Sequence, residues 1–172
     1  MKGTIVKCME ELVTAKFGAA QWKETLTKAG FAESKMFSGL EDVADGQVLA
    51  LMNAAAETNS LSMAQVMNAF GEHWSTVYAP AVYKVYFTSA KSTREFLLRL
   101  DEIHVAMTRT VKDAKPPRFQ YEWQGDKHLV MTYHSNRGLV ALMPGLIAGL
   151  GKYYKDHPVA KVIGNKVHVE FA

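Results

Sequence analysis

One imidazole lies where the helical period of the sequence otherwise places apolar side chains. At about 100° per residue, His104 falls on the same arc of a predicted helix as an apolar stripe made of Phe96, Leu97, Leu100, Ile103, Met107 and Val111. Spacing alone leaves two interpretations open. His104 is either a core histidine whose ring nitrogens bond to protein groups, or a ligand that projects into an apolar slot and binds the iron of a haem.

A second set of polar side chains occupies alternate positions near the end of a predicted strand. They are Tyr133, Ser135 and Arg137. In an extended chain, residues i, i+2 and i+4 point to one face. Two hydroxyls and a guanidinium on one face match an anion with several oxygens, because arginine forms bidentate pairs with carboxylates. The alternative is a solvated strand end. A haem needs both an iron ligand and partners for its two carboxylates, and the two sets together would supply them.

The first two thirds of the chain have the pattern of helices, and one of these helices must position His104. Apolar spacing predicts a helix that begins near Ile5 and ends at Gly18, and helical composition resumes over 42–57 after a loop near 37–40. Two capping-box signatures begin further helices, Ser62 with Gln65 and Ser92 with Glu95. The helix that carries His104 should extend to about Asp113, because Pro116 and Pro117 follow.

Beyond the two prolines the period changes to that of strands. Residues 118–124 and 127–134 flank a turn that contains Gly125, and 159–163 and 166–171 flank Gly164-Asn165. An apolar helix over about 138–155 separates the two predicted hairpins. The sequence therefore predicts an α+β fold, with an N-terminal helical subdomain packed on a C-terminal part that holds a small antiparallel sheet of about four strands.

Composition excludes several classes of protein. With 172 residues the chain fits one domain, and its net charge of +3 comes from scattered basic residues, which does not favour a nucleic-acid partner. Cys8 is the single cysteine, so we expect no disulfide, no multi-cysteine zinc site and a reducing compartment. The N-terminus has no secretory signal, and the most apolar stretch, 138–151, is shorter than the roughly 20 residues of a bilayer helix. We therefore expect a cytoplasmic protein with no membrane partner.

The chain resembles the H-NOX family, the haem-based nitric oxide and oxygen binding domains related to the sensor domain of soluble guanylate cyclase. The resemblance covers essentially all 172 residues. It is carried by the start MKGTIV, by the Leu-Asp-Glu-Ile-His run that ends at His104, by Pro116-Pro117-Arg118, and by Tyr133-x-Ser135-x-Arg137. These motifs occur in the order and spacing of the family.

The resemblance implies a single haem domain over 1–172, with haem b buried between a helical subdomain of about 1–60 and an α+β subdomain of about 61–172. His104 would ligate the iron. Pro117 would press on the porphyrin. Tyr133, Ser135 and Arg137 would hold the propionates, and the sixth position of the iron would be open to a gas.

The identity of the gas depends on hydrogen-bond donors on the distal side. Oxygen-binding members of the family have a tyrosine at the position that Leu142 fills here, and leucine cannot donate. Other distal positions correspond to Ile5, Met9, Trp74, Tyr78 and Leu146. The resemblance therefore implies a sensor of nitric oxide, which also binds carbon monoxide and excludes oxygen. In the alternative, Trp74 or Tyr78 donates to bound oxygen.

A domain without an output segment needs a partner, and the resemblance implies a sensor histidine kinase or a diguanylate cyclase/phosphodiesterase.

The first alternative to a gas sensor is an enzyme. The sequence has no phosphate loop, no HExxH and no Gly-x-Ser-x-Gly. The remaining histidines are expected to lie mostly on the surface. They are His73, His128, His134, His157 and His168. The second rival is a haem-free module that binds an amphipathic carboxylate, with Arg137 on the head group.

Overall fold

Four helices begin the chain. They are α1 (Gly3–Phe17), α2 (Ala19–Lys28), α3 (Asp45–Thr58) and α4 (Met63–His73) in a computed structural model that describes residues 1–172. The segment from 32 to 44 contains no helix, which confirms the loop predicted near 37–40 and moves the start of the third helix to Asp45.

Local signals set the ends of these helices. Gly18 adopts a φ of 94°, which favours glycine, and separates α1 from α2. The capping box at the start of α4 is formed in both directions: the Ser62 amide donates to Gln65 Oε1 at 2.8 Å, and the Gln65 amide donates to Ser62 Oγ at 3.2 Å. Both boundaries agree with the sequence analysis.

Residues Met1–Phe70 form the first of two structural units. Its core consists of apolar side chains from α1, α2 and α3, among them Val6, Met9, Leu26, Leu51 and Met52, each no more than 1% exposed. The N-terminal ammonium forms an ion pair with Asp45 at 2.7 Å. This contact ties the start of α1 to the start of α3.

The second unit, Gly71–Ala172, begins with irregular helix. A π-helical turn (Trp74–Tyr78) follows α4 directly, and two short helices, α5 (Ala79–Val82) and α6 (Lys84–Thr88), lead to the long helix α7 (Thr93–Thr110). The Glu95 amide donates to Ser92 Oγ at 3.1 Å, so the predicted cap of α7 is confirmed. The helix ends three residues earlier than the expected Asp113.

The sheet has four antiparallel strands in the order β1-β2-β4-β3. They are β1 (Arg118–Gln124), β2 (His128–His134), β3 (Val159–Ile163) and β4 (Lys166–Glu170). One face of the central strands is fully buried and includes Leu129, Met131, Val167 and Val169. This confirms the α+β class and the four-stranded sheet.

A 3₁₀ turn (Leu139–Leu142) and helix α8 (Met143–Tyr154) connect the two hairpins. Two glycines allow α8 to approach the start of this unit closely. A Cβ atom on Gly71 would lie 2.5 Å from the backbone nitrogen of Leu146, and a Cβ atom on Gly149 would lie 2.8 Å from the Cβ of Ser75. Neither position accommodates a larger residue unless backbone atoms move.

None of the helices combines the length and the hydropathy that a membrane span requires.

Candidate functional site

His104 lies on α7, half-buried, and its ring orientation is fixed by a backbone group. His104 Nδ1 is 2.7 Å from the carbonyl oxygen of Pro117. A carbonyl oxygen only accepts hydrogen bonds, so Nδ1 carries the proton and donates it. In the neutral ring, Nε2 then holds the lone pair. This is the arrangement in which a histidine binds a metal through Nε2 while its other nitrogen is held by the protein.

The surroundings of His104 keep its ring neutral. Burial lowers the pKa of His104 below its usual value and outweighs the opposing effects of the Pro117 carbonyl and Asp101. The ring of Phe119 packs 5.8 Å from the imidazole. A neutral imidazole is the form that binds metals, and at neutral pH no proton has to leave Nε2 before a metal can bind there.

Asp101, one turn before His104, fixes α7 to the start of β1. Arg118 Nε and Nη2 donate to Asp101 Oδ1 and Oδ2 at 2.7 and 2.6 Å, and the Phe119 amide donates to Oδ1 at 2.8 Å. The hydrogen bonds from Arg118 lower the pKa of Asp101 to about 2. Because Arg118 follows Pro117 directly, this pair holds the carbonyl that orients His104. No sequence pattern singled out Asp101 for this role.

We expect Asp101→Asn to lower the free energy of unfolding by roughly 1 kcal/mol at pH 7, since the pair is bidentate but partly exposed to solvent. A depressed pKa stabilises the fold above the unfolded pKa and loses that contribution as the pH falls toward the folded pKa. The difference between wild type and variant should therefore shrink between about pH 4 and pH 2. Urea unfolding at several pH values measures it, with the exposed neighbour Glu102→Gln as control. A difference that is unchanged at pH 2.5 would contradict this role.

Tyr133, Ser135 and Arg137 come together, but in a different conformation from the one predicted. Only Tyr133 is on a strand, because β2 ends at His134 and 136–137 form a turn. The expectation of one extended chain with all three residues on a common face is therefore wrong. The Tyr133 hydroxyl instead forms a hydrogen bond with the Ser135 side chain, and the Arg137 amide donates to Ser135 Oγ at 3.3 Å. Turn geometry gathers the groups that strand alternation was expected to align.

The two sets of residues are linked by the segment that contains the two prolines. Arg137 Nη1 donates to the carbonyl oxygen of Lys115, and His104 Nδ1 donates to the carbonyl oxygen of Pro117. Proline has a fixed φ and favours an extended residue before it, so the segment 115–117 holds both acceptors rigidly. Pro117 thus orients His104 through its carbonyl, a role that the sequence analysis did not predict.

Four predicted distal residues lie in the second unit. Trp74 and Tyr78 are on the π-helical turn with their rings stacked at 5.4 Å, and the ring of Tyr83 is 6.3 Å from Trp74. Leu142 ends the 3₁₀ turn and is 9% exposed, and Leu146 follows one turn later on α8. A π-helical turn is often found at functional sites.

Ile5 and Met9, the other two predicted distal residues, lie one turn apart on α1 in the first unit. Ile5 is half-buried and Met9 is 1% exposed. Met9 lines an apolar cleft of this unit together with Leu12, Val13 and Val66. Their roles remain predictions.

The carboxylates that adjoin histidines in sequence bond elsewhere where their contacts are seen. Asp156, which adjoins His157 in sequence, accepts hydrogen bonds from the amide and the hydroxyl of Thr93, both at 2.7 Å. His134 and His157 are exposed, as expected. His73, His128 and His168, however, are half-buried, and the last two are in contact with each other. The expectation of surface residues does not hold for these three.

The sequence of the chain is similar to those of known proteins. Residues 2–162 match the model of the Haem-NO-binding family. The chain is 28% identical over 144 residues to soluble guanylate cyclase gcy-37 of Caenorhabditis elegans, a match that covers 81% of this chain and 20% of that protein. It is 27% identical over 121 residues to guanylate cyclase soluble subunit beta-2 of Rattus norvegicus, covering 63% of this chain and 18% of that protein. The chain thus spans about a fifth of these relatives.

Solved structures share the fold. An H-NOX protein from S. oneidensis in the Fe(II)NO ligation state superimposes with a TM-score of 0.90 at 16% identity, covering 100% of this chain and 99% of that chain. An oxygen-binding H-NOX domain related to soluble guanylate cyclases gives a TM-score of 0.82 at 24% identity, covering 99% and 95% of the two chains. A protein ligated by nitric oxide and a different, oxygen-binding domain thus both have a fold similar to that of this chain.

Proposed function

The chain belongs to the haem-NO-binding, or H-NOX, family, and we propose that it senses nitric oxide at a five-coordinate, histidine-ligated ferrous haem b. The observation that carries the proposal is the hydrogen bond from His104 Nδ1 to the Pro117 carbonyl at 2.7 Å. It leaves Nε2 of a neutral, half-buried imidazole with a lone pair. Among the interpretations that the sequence left open, this geometry favours a ligand over a core histidine whose two nitrogens both bond to protein groups.

The residues around His104 fit a haem. When bound, haem supplies an iron centre that holds a diatomic gas opposite its protein ligand. The protein's part is to hold the His104 ring in one orientation and one tautomer, through Pro117 and the Asp101–Arg118 pair. Such outer partners raise the basicity of the ligand and fix its direction.

Tyr133, Ser135 and Arg137 are the proposed partners of the haem propionates. Burial raises the pKa of Tyr133, so its hydroxyl stays protonated and can donate. The Arg137 guanidinium has five N–H donors in a planar fork, which suits a carboxylate. The three groups lie within one short stretch of chain, as a site for a carboxylate-bearing edge requires.

We expect Arg137→Ala to release haem roughly 10- to 100-fold faster, because a charge-assisted hydrogen bond contributes about 1.5–3 kcal/mol. Transfer of haem to an excess of a haem-scavenging protein measures the rate. Arg137→Lys keeps the charge but loses the planar fork and should give an intermediate rate. Arg109→Ala, which removes an exposed arginine on α7, should leave the rate unchanged. An unchanged rate in Arg137→Ala would refute the clamp.

Selectivity for nitric oxide over oxygen is proposed from the side chain at position 142. Leu142 offers only C–H groups, whereas bound oxygen gains stability from a donor. The alternative, an oxygen-binding domain with Trp74 or Tyr78 as donor, remains the second candidate. The stacking of the two rings at 5.4 Å favours a packing role for both. Carbon monoxide, which needs no donor, is expected to bind as well.

The absorption spectrum of the purified protein tests the proposal. The ferrous form should remain five-coordinate in air and change on addition of nitric oxide. A colourless protein that also fails to take up haemin would exclude a haem sensor and favour the haem-free carboxylate module. A stable spectrum of an oxygen complex would instead select the oxygen-binding alternative.

The signal must pass to an output protein or segment. The guanylate cyclases matched here are about five times longer than the region they share with this chain. We propose a separate sensor histidine kinase or diguanylate cyclase/phosphodiesterase as partner, in the cytoplasm. Cys8 supports the reducing location, because it is a free, buried thiol. Identification of the protein that co-purifies with this chain tests the assignment.

A further inference from the structure

Two imidazoles face each other on the sheet, in a place that the proposed haem site does not use. His128 begins β2, and His168 lies on the adjacent strand β4. Their register partners are Glu170 and Val130, so the two histidines are diagonal neighbours on one face of the sheet. This is the face opposite to the one that buries Leu129. His128 Nε2 lies 3.0 Å from His168 Nδ1.

A carboxylate sets the tautomer of His128. Its Nδ1 is 2.9 Å from Glu170 Oε1, and an ionised carboxylate only accepts hydrogen bonds, so Nδ1 carries a proton. In the neutral ring, Nε2 then holds a lone pair that points at His168 Nδ1. When both rings are neutral, the hydrogen bond between them is donated by His168 Nδ1. One proton thus lies between His128 Nε2 and His168 Nδ1.

We propose that His128 Nε2 and His168 Nδ1 form a binding site for one divalent transition-metal ion of the class that prefers imidazole, namely Zn²⁺, Ni²⁺ or Cu²⁺. Imidazole nitrogens bind Zn²⁺ at about 2.0–2.1 Å, so two such ligands on one tetrahedral ion lie roughly 3.3 Å apart. The observed separation is 3.0 Å. To bind the ion, the two nitrogens move apart by a few tenths of an ångström, and each ring turns by roughly 35° so that its lone pair points at the ion instead of at the other ring.

Glu170 completes the arrangement as the group that orients a ligand. A carboxylate that accepts a proton from the other nitrogen of a metal-bound histidine fixes the ring and raises its basicity. No group of three or more His, Cys, Asp or Glu side chains is placed to hold a metal. The protein therefore supplies two ligands, and water completes the coordination sphere.

Binding of the metal ion displaces the proton that lies between the two rings. The metal takes the place of the proton between the rings. That proton moves through solvent to His168 Nε2, which gives the other neutral tautomer, so binding to two neutral rings releases no net proton. If one ring is already protonated, one proton is released to solvent.

The charges nearby select the class of ion. Lys161 on β3 is the register partner of His168, and its ammonium adds a positive charge on the same face. Glu170 and Lys161 carry opposite charges on this face, so net attraction of a cation is small and binding depends on metal–imidazole bonds. This excludes Mg²⁺ and Ca²⁺, which prefer oxygen ligands, and predicts that Cu²⁺ binds more tightly than Ni²⁺ or Zn²⁺.

Isothermal titration of the full chain with Zn²⁺, and separately with Cu²⁺, tests the site. We expect one equivalent to bind, and each of His128→Ala and His168→Ala to weaken binding at least tenfold. Glu170→Gln, which keeps both ligands, should weaken binding roughly 10-fold or more through loss of orientation. His134→Ala removes an exposed histidine from the same face of β2 and should bind like wild type. His104→Gly should also bind like wild type, which separates this site from the proposed haem ligand.

Electron paramagnetic resonance of the Cu²⁺ complex counts the ligands directly. Two coordinated imidazoles are expected in wild type, and one in His168→Gln, a variant that retains a polar side chain on the strand. No saturable binding at one equivalent would overturn the proposal. So would binding that survives both alanine substitutions, or binding that is lost in His134→Ala or His104→Gly.

Discussion

We expect that replacing His104 with glycine removes the proposed axial ligand of the haem and changes the ferrous absorption spectrum, and that added imidazole restores the spectrum. Glycine leaves a space the size of the lost ring, and a glycine in a helix costs only about 1 kcal/mol. The added imidazole can donate its N–H to the Pro117 carbonyl, as His104 Nδ1 does at 2.7 Å, and present its other nitrogen to the iron. A variant with the spectrum of the parent protein would refute the assignment of His104.

The role of the Pro117 carbonyl is tested by the choice of the added base. 1-Methylimidazole has a similar ring but no N–H, so it cannot donate to Pro117. Loss of such an outer partner typically costs 10- to 100-fold in metal affinity. We therefore expect 1-methylimidazole to restore the spectrum only at roughly 10- to 100-fold higher concentration. Equal concentrations for both bases would show that the carbonyl does not orient the ligand.

The second large effect is expected at position 142. Leu142→Tyr adds a phenol that can donate to bound oxygen, and a hydrogen bond to a group that carries charge contributes about 1.5–3 kcal/mol. At about 1.4 kcal/mol for each factor of ten, the affinity for oxygen should rise roughly 10- to 100-fold. Oxygen titration of the ferrous protein, followed by absorption, measures the change.

Leu142→Phe is the matched control, because phenylalanine fills nearly the same volume without a hydroxyl. Leu142 is 9% exposed and ends the 3₁₀ turn before α8, so either aromatic ring disturbs packing to a similar extent. Only the tyrosine variant should gain oxygen affinity. Similar gains in both variants would show that the distal space, and not a donor, controls selectivity.

The elements of the fold were largely predictable because their signals are local. The capping box at Ser62 marks the start of α4. Ser92 caps α7, but the Glu95 side chain accepts from the Lys91 amide instead of the Ser92 amide. The turn residues Gly125 and Gly164 mark both hairpins. A constant helical period does not continue past α4. A π-helical turn begins at Trp74 and changes the angle between successive residues, and Val77 is 50% exposed.

The candidate site was predictable in its residue types but not in its geometry. The predicted strand ends at His134, as β2 does, but the chain was expected to stay extended through Arg137, whereas 136–137 form a turn. Side-chain to backbone bonds around Ser135 compete with strand pairing, and here they form a turn. The carbonyl of Pro117 has no signature in the sequence, because every residue has a carbonyl oxygen, and its direction is set by tertiary contacts alone.

The short segment 115–117 is held at both ends by hydrogen bonds, so a movement at one end displaces the other. The carbonyls of Lys115 and Pro117 are two residues apart, and each is held by a side chain from a different element, Arg137 after β2 and His104 on α7. Two consecutive proline rings leave the peptide little freedom to absorb movement between them. A tilt of the His104 ring that moves the Pro117 carbonyl therefore also moves the Lys115 carbonyl and the Arg137 guanidinium, which lies just past the end of β2.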